Sequence, residues 1–596
     1  MLENKFLHSK KLLFLICGLV LVAFFAPALV FGARHSDDIP WHFIWLRSYL
    51  DAVQHGVIYP RWMPDAMAGM GSPAFYFYPP LATMFFALVD AVFMHRLSVA
   101  HVIGVSAFLM GMASGVFFYW WARNFASVRV SAVLGLAFAL APYHLLTDYY
   151  NRGAIGEYAA YVWIPLIFHA AHRYLITARV RWLSLLAVAV TGLFFTHLLS
   201  AMIIGPVIAA YILLHLFGAT GAPAGTRHAA RSRLIMLALL AAVAALAVGT
   251  AAVYFLPALQ LFDAANTAAL FVRPIEGTRL FTGLSMSANP VVTRYTLFAS
   301  IYLFVTVYLL AEYLRARRNA TVATSCPGTS TAMVVMWTMV TALCGLFMWG
   351  KLGFVFEAPS PYRSLQFLSR LLIVVEFVVL TMVAVMFAAL PSPVARKRMA
   401  LMLLAVFAVL LAYQFSALFK KFQHQTLAQN EVAMSQRVQY RITPPEYYPK
   451  DAGFSARIDE LLPQLALRLD ASEQAWIVGG QGKVGSVSQD YGAFVVRVSS
   501  SDGVAVAIRQ FYFPGWVAQD QDGRSLPVFA ATSFKFATVQ VPPGEHTVRI
   551  VRGEVPVEGF AKKVSAASLA LLLLLLGALA WQTRRQASTR NTLKQD

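Results

Sequence analysis

Runs of about 20 apolar residues, separated by short basic clusters, recur along almost the whole chain, and each is long enough to cross a bilayer. Inside lipid a backbone must satisfy its own hydrogen bonds, so each such run is expected to be a helix. The runs fall at 12–32, 99–121, 130–146, 158–174, 182–199, 202–217, 234–256, 295–314, 332–349, 371–390, 399–417 and 564–581. A shorter run, 79–94, opens on Pro79-Pro80. Composition agrees: 59% of residues are hydrophobic and 13% charged, against about 25% charged in soluble proteins. The expected fold class is a polytopic α-helical membrane protein with about 12–13 transmembrane helices.

The formal charge of +20 does not point to nucleic acid, which is excluded as a partner. The basic residues are spread between apolar runs instead of gathered on one soluble face, which is the positive-inside pattern. Lys10/Lys11, Arg123/Arg129, Arg173/Arg179/Arg181, Arg227/Arg231/Arg233, Arg315/Arg317/Arg318, Arg396/Lys397/Arg398 and Arg584/Arg585 then lie inside, with the N-terminus cytoplasmic. Residues 12–32 read as a signal anchor, because the run is too long for a cleaved leader. The run 79–94 breaks this alternation if it crosses fully; either it is partial or re-entrant, or a neighbouring span is drawn wrongly. Cys17, Cys326 and Cys344 show neither a disulfide framework nor metal-ligand spacing.

This topology predicts four domains or segments. Residues 1–419 form the membrane domain, with a first outer loop at 33–78, and residues 420–562 form an extracytoplasmic, mainly β domain. A final span at 563–583 and a polar, disordered cytoplasmic tail at 584–596 follow. The β reading rests on alternation at Val504/Val506/Ile508 and His546/Val548/Ile550, with turn signals at Ser501-Asp502-Gly503, Asp522-Gly523 and Pro542-Pro543-Gly544; residues 422–470 read as irregular or helical. In the first loop Ile39, Phe43, Leu46, Leu50 and Val53 recur at helical spacing. With Trp41, Trp45 and Tyr49 they predict a helix lying on the bilayer surface and capping a cavity.

The densest set of unusual residues is Arg34-His35-Ser36-Asp37-Asp38-Ile39-Pro40-Trp41-His42, just past the first span. Ionisable groups at a membrane boundary are functional candidates, while the plain alternative is an aspartate capping the next helix. Asp37, Asp38, Arg61, Arg152, Glu157, Lys351 and Arg370 all fall on the outer side and are expected to converge on one cavity. The plain alternatives are a snorkelling Arg370, a structural Arg152–Glu157 ion pair, and a hydrogen-bonded buried His197. The aromatic runs Phe75–Tyr78 and Tyr119–Trp121 read as interface belts, and Glu376 as a solitary charge within a late span.

Read in order, the motifs are Asp-Asp after helix one, Gly56-Val-Ile-Tyr-Pro-Arg-Trp62, Gly69-Met-Gly-Ser-Pro-Ala-Phe-Tyr-Phe-Tyr-Pro-Pro-Leu81, Arg152-Gly-Ala-Ile-Gly-Glu157 and Gln366-Phe-Leu-Ser-Arg370. This order resembles bacterial membrane proteins labelled "6-pyruvoyl-tetrahydropterin synthase-related", and more widely the GT-C glycosyltransferase superfamily. Phe511-Tyr-Phe-Pro-Gly-Trp516 and Gly544-Glu-His-Thr-Val548 resemble the outer β-domain of some of these proteins. The three-His zinc set of soluble pyruvoyl-tetrahydropterin synthases is missing, so pterin chemistry is not implied.

The resemblance implies a bacterial inner-membrane enzyme. It would move a sugar from a polyprenyl-phosphate donor to a cell-envelope glycan, lipid or protein on the outer face. Asp37 or Asp38 would be the base, with Asp37 favoured slightly, and Glu157 a second carboxylate. Arg370 and Arg152, with Lys351, His35 and Arg61 behind them, would meet the phosphate. No cofactor is implied. No Asp-x-Asp pair follows the first loop, which points away from a metal, although Asp37 and Asp38 together have the donor type for Mg²⁺. Leu368 stands where the resemblance calls for proline. The competing readings are a transporter or flippase of a lipid-linked substrate, and a non-catalytic scaffold that displays the β-domain.

Overall fold

The computed structural model describes residues 2–217, 230–267, 280, 290–318, 328–356, 362, 365–390, 392–423, 441–450, 473–531 and 535–592. Its helices are α1 (Leu2–Phe31), α2 (Ile39–Gln54), α3 (Leu81–Val92), α4 (Val99–Ala122), α5 (Val128–Ala139), α6 (Ile155–Thr177), α7 (Val180–Thr196), α8 (Leu198–Phe217), α9 (Ala230–Thr250), α10 (Ala252–Gln260), α11 (Pro290–Arg318), α12 (Gly328–Met348), α13 (Leu372–Ala389), α14 (Pro393–Gln423) and α15 (Pro556–Thr592). A π-helix, Tyr143–Arg152, continues α5. Serines start two of the helices: Ser98 Oγ accepts from the His101 N–H at 3.3 Å and Ser127 Oγ from the Val130 N–H at 3.4 Å.

Among the described residues, ten helical stretches are long and apolar enough to cross a membrane. This is fewer than the expected 12–13, because α3 and α7 are short and α6 is not among the ten. Helix α6 carries Glu157, His169, His172 and Arg173, which lower its apolar character although it packs closely with α4 and α7. The run 79–94 is the 12-residue α3, which at 1.5 Å per residue reaches about 18 Å and falls short of a full crossing. The last helix continues through Arg584 to Thr592, so the tail expected to be disordered is helical that far. Cys326 and most of 422–470 lie outside the described residues.

A β-rich domain precedes the last span. It has two antiparallel sheets, with strand orders β1-β4-β8-β7 and β2-β3-β9-β5-β6. Here β1 is Ala475–Gly480, β2 Lys483–Asp490, β3 Ala493–Ser500, β4 Val504–Phe511, β5 Trp516–Gln519, β6 Ser525–Leu526, β7 Val528–Ala531, β8 Phe536–Val541 and β9 Gly544–Arg552. Burial alternates around Val548 and Ile550 of β9, whereas Val506–Phe511 of β4 is buried on both faces. Val504, Val506 and Ile508 of one sheet and Val496, Val548 and Ile550 of the other are buried in one shared cluster, with Val496 opposite Val548 and Val506 opposite Val539.

That cluster also contains Trp45, Tyr49, Trp62, Met70, Phe75 and Tyr76 of the first loop. The loop therefore does not lie bare on the bilayer, as its aromatics suggested. The β-domain covers it: Trp45 is 2% exposed and Tyr49 6%, while Val53, expected on the apolar face, is 43% exposed. Phe75 and Tyr76 are core residues rather than belt residues, and so is Trp121. Three hydrogen bonds through the buried Gln510 fasten loop to domain: Trp62 Nε1 donates to Oε1 at 2.6 Å, and Nε2 donates to the Pro64 and Gly69 carbonyls at 3.0 and 2.8 Å. The Phe511 N–H adds a bond to the Met70 carbonyl at 2.6 Å. Gln510→Ala strands one indole N–H and two carbonyls in a dry core. The expected cost is about 2–3 kcal/mol, seen as a lowered thermal midpoint of the purified protein.

Candidate functional site

The site grows from three pieces of backbone. The π-helix begins after Pro142 and buries Tyr143 through Tyr150; such widened turns are common where polar side chains are held inside. It ends at Gly153, with φ +70°. A Cβ there would stand 2.5 Å from Ser36 Oγ and 2.9 Å from the Ile39 nitrogen. Glycine thus lets the first loop lie directly on the end of the π-helix, where the Asp38 N–H donates to the Arg152 carbonyl at 2.6 Å. Gly153→Ala combines a left-handed backbone with a steric clash. It is expected to cost about 1–2 kcal/mol and, by lifting Asp38 away, to lower activity more than tenfold while the β-domain stays folded by limited proteolysis.

Asp38 occupies the N-cap position of α2, but its side chain makes no capping bond. Its carboxyl has no hydrogen-bond or ion-pair partner among the described residues. It is half-buried, whereas Asp37 is exposed. Burial raises the Asp38 pKa above its ordinary 3.8, with Asp37 and Glu157 adding to the rise and Arg152 and Arg370 opposing it.

Glu157 opens α6 and is 2% exposed. Its Oε1 accepts from the Tyr143 hydroxyl at 2.8 Å, and its Oε2 from Arg152 Nη1 at 3.0 Å and Arg370 Nε at 3.2 Å. Arg152 Nη1 also reaches Asp148 Oδ1 at 3.0 Å and the Tyr143 hydroxyl at 3.2 Å. Arg370 Nη1 donates to Gln366 Oε1 at 3.0 Å and the Leu365 carbonyl at 2.9 Å, so the Gln-Phe-x-x-Arg motif closes on itself. Arg370 is 7% exposed and is an internal ion-pair partner, not a snorkelling anchor. At this centre both guanidiniums thus meet on Glu157, with Asp148 bonded to Arg152 and Asp38 within electrostatic reach of both.

A roof closes over it. Tyr78 stacks near Trp45 with ring centroids 4.2 Å apart, and its hydroxyl lies 3.4 Å from His42 Nε2. Tyr447, from the turn Pro445–Tyr447, lies parallel to Phe77 at 6.1 Å. Burial drives His42 down to about 3 and raises Tyr78 and Glu446, so near neutrality His42 is uncharged and Tyr78 keeps its proton. The buried His42 Nδ1 and Asp148 Oδ2 have no hydrogen-bond partner in the described structure, and buried polar atoms of this kind usually have one.

Arg61 and Lys351 lie elsewhere, whereas His197 borders the centre, within electrostatic reach of Glu157, Arg370 and Arg152. Arg61 donates to the Tyr59 hydroxyl at 3.1 Å and to the Val253 carbonyl, and pairs with Glu558 at 3.6 Å, tying the first loop to α10 and α15. Lys351 is exposed over the Trp349 ring at 5.0 Å. His35 is half-buried between the buried Arg34 and Ser36. Half-buried His197 turns between α7 and α8, its Nδ1 2.7 Å from Ser200 Oγ. Glu376 is far from solitary: it accepts from the Tyr143 and His144 N–H groups at 2.8 and 3.3 Å and from the Tyr161 and Tyr302 hydroxyls at 2.7 and 3.0 Å. It thereby anchors the start of the π-helix. Among the described residues no group of three or more His, Cys, Asp or Glu is arranged to hold a metal ion. The Asp37–Asp38 pair gives a hard cation only two side chains, one of them turned to solvent.

No protein-family model matches the chain, and no curated protein matches it. Solved structures that match include the apo oligosaccharyltransferase of Archaeoglobus fulgidus, at 13% identity and a TM-score of 0.40. The match covers 74% of this chain and 60% of that one. A likeness of that size carries nothing about the reaction.

Asp148, Tyr143 and Tyr78 belong to the candidate site without having been selected by charge at span ends, whereas His42 lies in the segment 34–42 that the sequence singled out. For Asp148 a signal was present: Asp148 and Arg152 are spaced for an ion pair on one helical face. Tyr78 was hidden by its resemblance to an interface aromatic.

Proposed function

We propose that this protein is a membrane glycosyltransferase of the GT-C type, which moves a sugar from a polyprenyl-phosphate donor to a cell-envelope acceptor on the outer face of the bacterial inner membrane. The observation that carries this reading is the Asp38 carboxyl: half-buried, unpaired among the described residues, raised in pKa, and set beside the Arg152–Glu157–Arg370 unit. A general base needs a free lone pair, a fixed position and a pKa moved toward the working pH. Asp38 offers a half-buried carboxyl of raised pKa on a backbone held by its N–H bond to the Arg152 carbonyl, whereas Asp37 is exposed.

In this reading Asp38 takes the proton from an acceptor hydroxyl. The acceptor oxygen bonds to the anomeric carbon as that carbon's bond to the phosphate oxygen breaks, and the electron pair leaves on the lipid phosphate. Glu157 and the two arginines hold Asp38's surroundings in place, and Tyr78 and neutral His42 border the acceptor.

The test is a pH–rate profile with a synthetic polyprenyl-phosphate sugar in proteoliposomes. The active base is the deprotonated form. Asp38 is faced by Asp37, Arg152, Glu157, Arg370, Tyr78, Glu446 and Tyr447, and its pKa lies above 3.8 on balance. The rate should therefore fall with decreasing pH while an ordinary aspartate would still be ionised. A rate independent of pH down to 4, with chemistry limiting, contradicts Asp38 as base.

A further inference from the structure

The seam between the first loop and the β-domain holds two cavities, of about 470 and 300 Å³, and Pro64, Tyr491 and Gly492 line both. The shared residues make them two compartments of one groove, pinched between Pro64 on the loop and the turn Tyr491-Gly492 that joins β2 to β3. Gly492 has φ +74°, and a Cβ there would stand 3.7 Å from the Pro64 Cβ. The larger compartment is built from both sides of the seam. Asp51 and Asp65 come from the loop, and Gln474, Gln489, Asp490 and Arg509 from the domain. The smaller one runs to Glu558 and Lys562 at the start of α15.

Most side chains lining the larger compartment are polar, which rules out a lipid tail. A phosphate is poorly served. Arg509 already donates to the Ala68 carbonyl at 3.2 Å, and the carboxylates of Asp51 and Asp490 line the same space. The acids do not make a cation site either: among the described residues no three His, Cys, Asp or Glu are arranged for a metal, and Asp65 is engaged by Arg441 and, at 3.0 Å, by Ser48 Oγ. A peptide added as a strand needs a free strand edge, whereas the domain presents a hairpin turn here.

What the compartment offers is side-chain amides and carboxylates, which supply donors and acceptors in planar pairs, beside an aromatic ring. Tyr491 stacks on His55 with ring centroids 4.9 Å apart. Its hydroxyl oxygen is buried and has no hydrogen-bond partner among the described residues, and buried polar atoms of this kind usually have one. Burial, with Asp51 adding to it, raises the Tyr491 pKa above its ordinary 10, so the hydroxyl keeps its proton and can donate. A pyranose matches this set, because its hydroxyls both donate and accept around an apolar ring face, and tyrosine has an apolar body with a polar tip. The two compartments are also of the size of small-molecule sites, about 300–1,000 Å³.

We propose that this groove binds an oligosaccharide without acidic groups, whose hydroxyls meet the Tyr491 hydroxyl, Gln489 and Asp490 in the larger compartment. The groove would hold the saccharide whether or not this chain transfers a sugar, so the site does not rest on the proposed reaction.

The test is binding. The purified full chain in lipid nanodiscs is applied to an array of bacterial oligosaccharides with uncharged, uronate-bearing and phosphate-bearing members, and the uncharged member that binds best is titrated by calorimetry. Uncharged members should bind and acidic ones should not. Tyr491→Phe keeps the ring on His55 and should weaken binding about three- to tenfold. Tyr491→Phe with Asp490→Ala should weaken it at least tenfold, with an unchanged thermal midpoint. Should that pair lower the midpoint, Gln489→Ala, a change to an exposed side chain, replaces Asp490→Ala. Asp38→Asn should bind as the wild type does, which sets the groove apart from the transfer centre. Four results overturn the proposal: no uncharged member bound by the wild type, a preference for acidic members, an affinity unchanged in the double variant, or displacement of the oligosaccharide by tetralysine, which would mark a site for basic peptides. If the oligosaccharide binds as described but no sugar is ever transferred, the transferase reading fails and the groove stands.

Discussion

Asp38→Asn is expected to reduce sugar transfer by about 10²–10⁴-fold, the range that a positioned general base supplies. The thermal midpoint should change little, because the Asp38 side chain makes no capping hydrogen bond to lose. Asparagine preserves shape and removes both the charge and the basicity, so the effect should fall on kcat. Asp37→Asn, one residue earlier, is the internal control. Asp37 is exposed, and its loss should cost less than tenfold. The measurement is transfer of labelled sugar by the two variants reconstituted side by side. Equal losses in both would mean that the two aspartates act as a pair; little loss in Asp38→Asn would remove the base from the account.

The largest effect on stability is expected at Glu157. Its carboxylate compensates two buried guanidiniums at once, at 3.0 and 3.2 Å. Removing one partner of a buried ion pair leaves the other charged and desolvated, which costs about 3–5 kcal/mol. Glu157→Ala should therefore lower the thermal midpoint strongly and abolish transfer with it. Glu157→Gln keeps one acceptor oxygen and should recover part of the stability. Pairing Glu157→Ala with Arg370→Gln should cost less than the sum of the two single losses, since the second change removes a stranded charge. Additive losses in that cycle would show that the 3.2 Å contact contributes nothing.

Much of the membrane architecture is legible in the sequence, because a bilayer imposes one simple requirement on each span and apolar length reports it. The β-strands at 504–511 and 544–552 are legible for a similar local reason, an alternation of period two between turns. The places where reading fails share a cause. Gln510 joins Trp62 across 448 residues, Arg61 reaches the Val253 carbonyl across 192, and Glu376 collects donors 74 to 233 residues away. Nothing local in a sequence says which helix ends will be neighbours. Trp45, Tyr49 and Phe75 are amphipathic side chains as suited to a bilayer interface as to the seam under a β-domain, and the domain that settles the matter comes some 400 residues later. The choice between Asp37 and Asp38 turns on one residue of register: the bond from the Asp38 N–H to Arg152 and the glycine at 153 decide which carboxyl faces inward.

The most direct test of the central claim is a cryo-electron microscopy structure of the full chain with a non-hydrolysable polyprenyl-phosphate sugar analogue. Sugar density is expected under the Tyr78–Tyr447 roof, with Asp38 within hydrogen-bond reach, about 3 Å, of a hydroxyl on the acceptor side. Sugar density bound elsewhere, with the Asp38 carboxyl turned to bulk water, would contradict it.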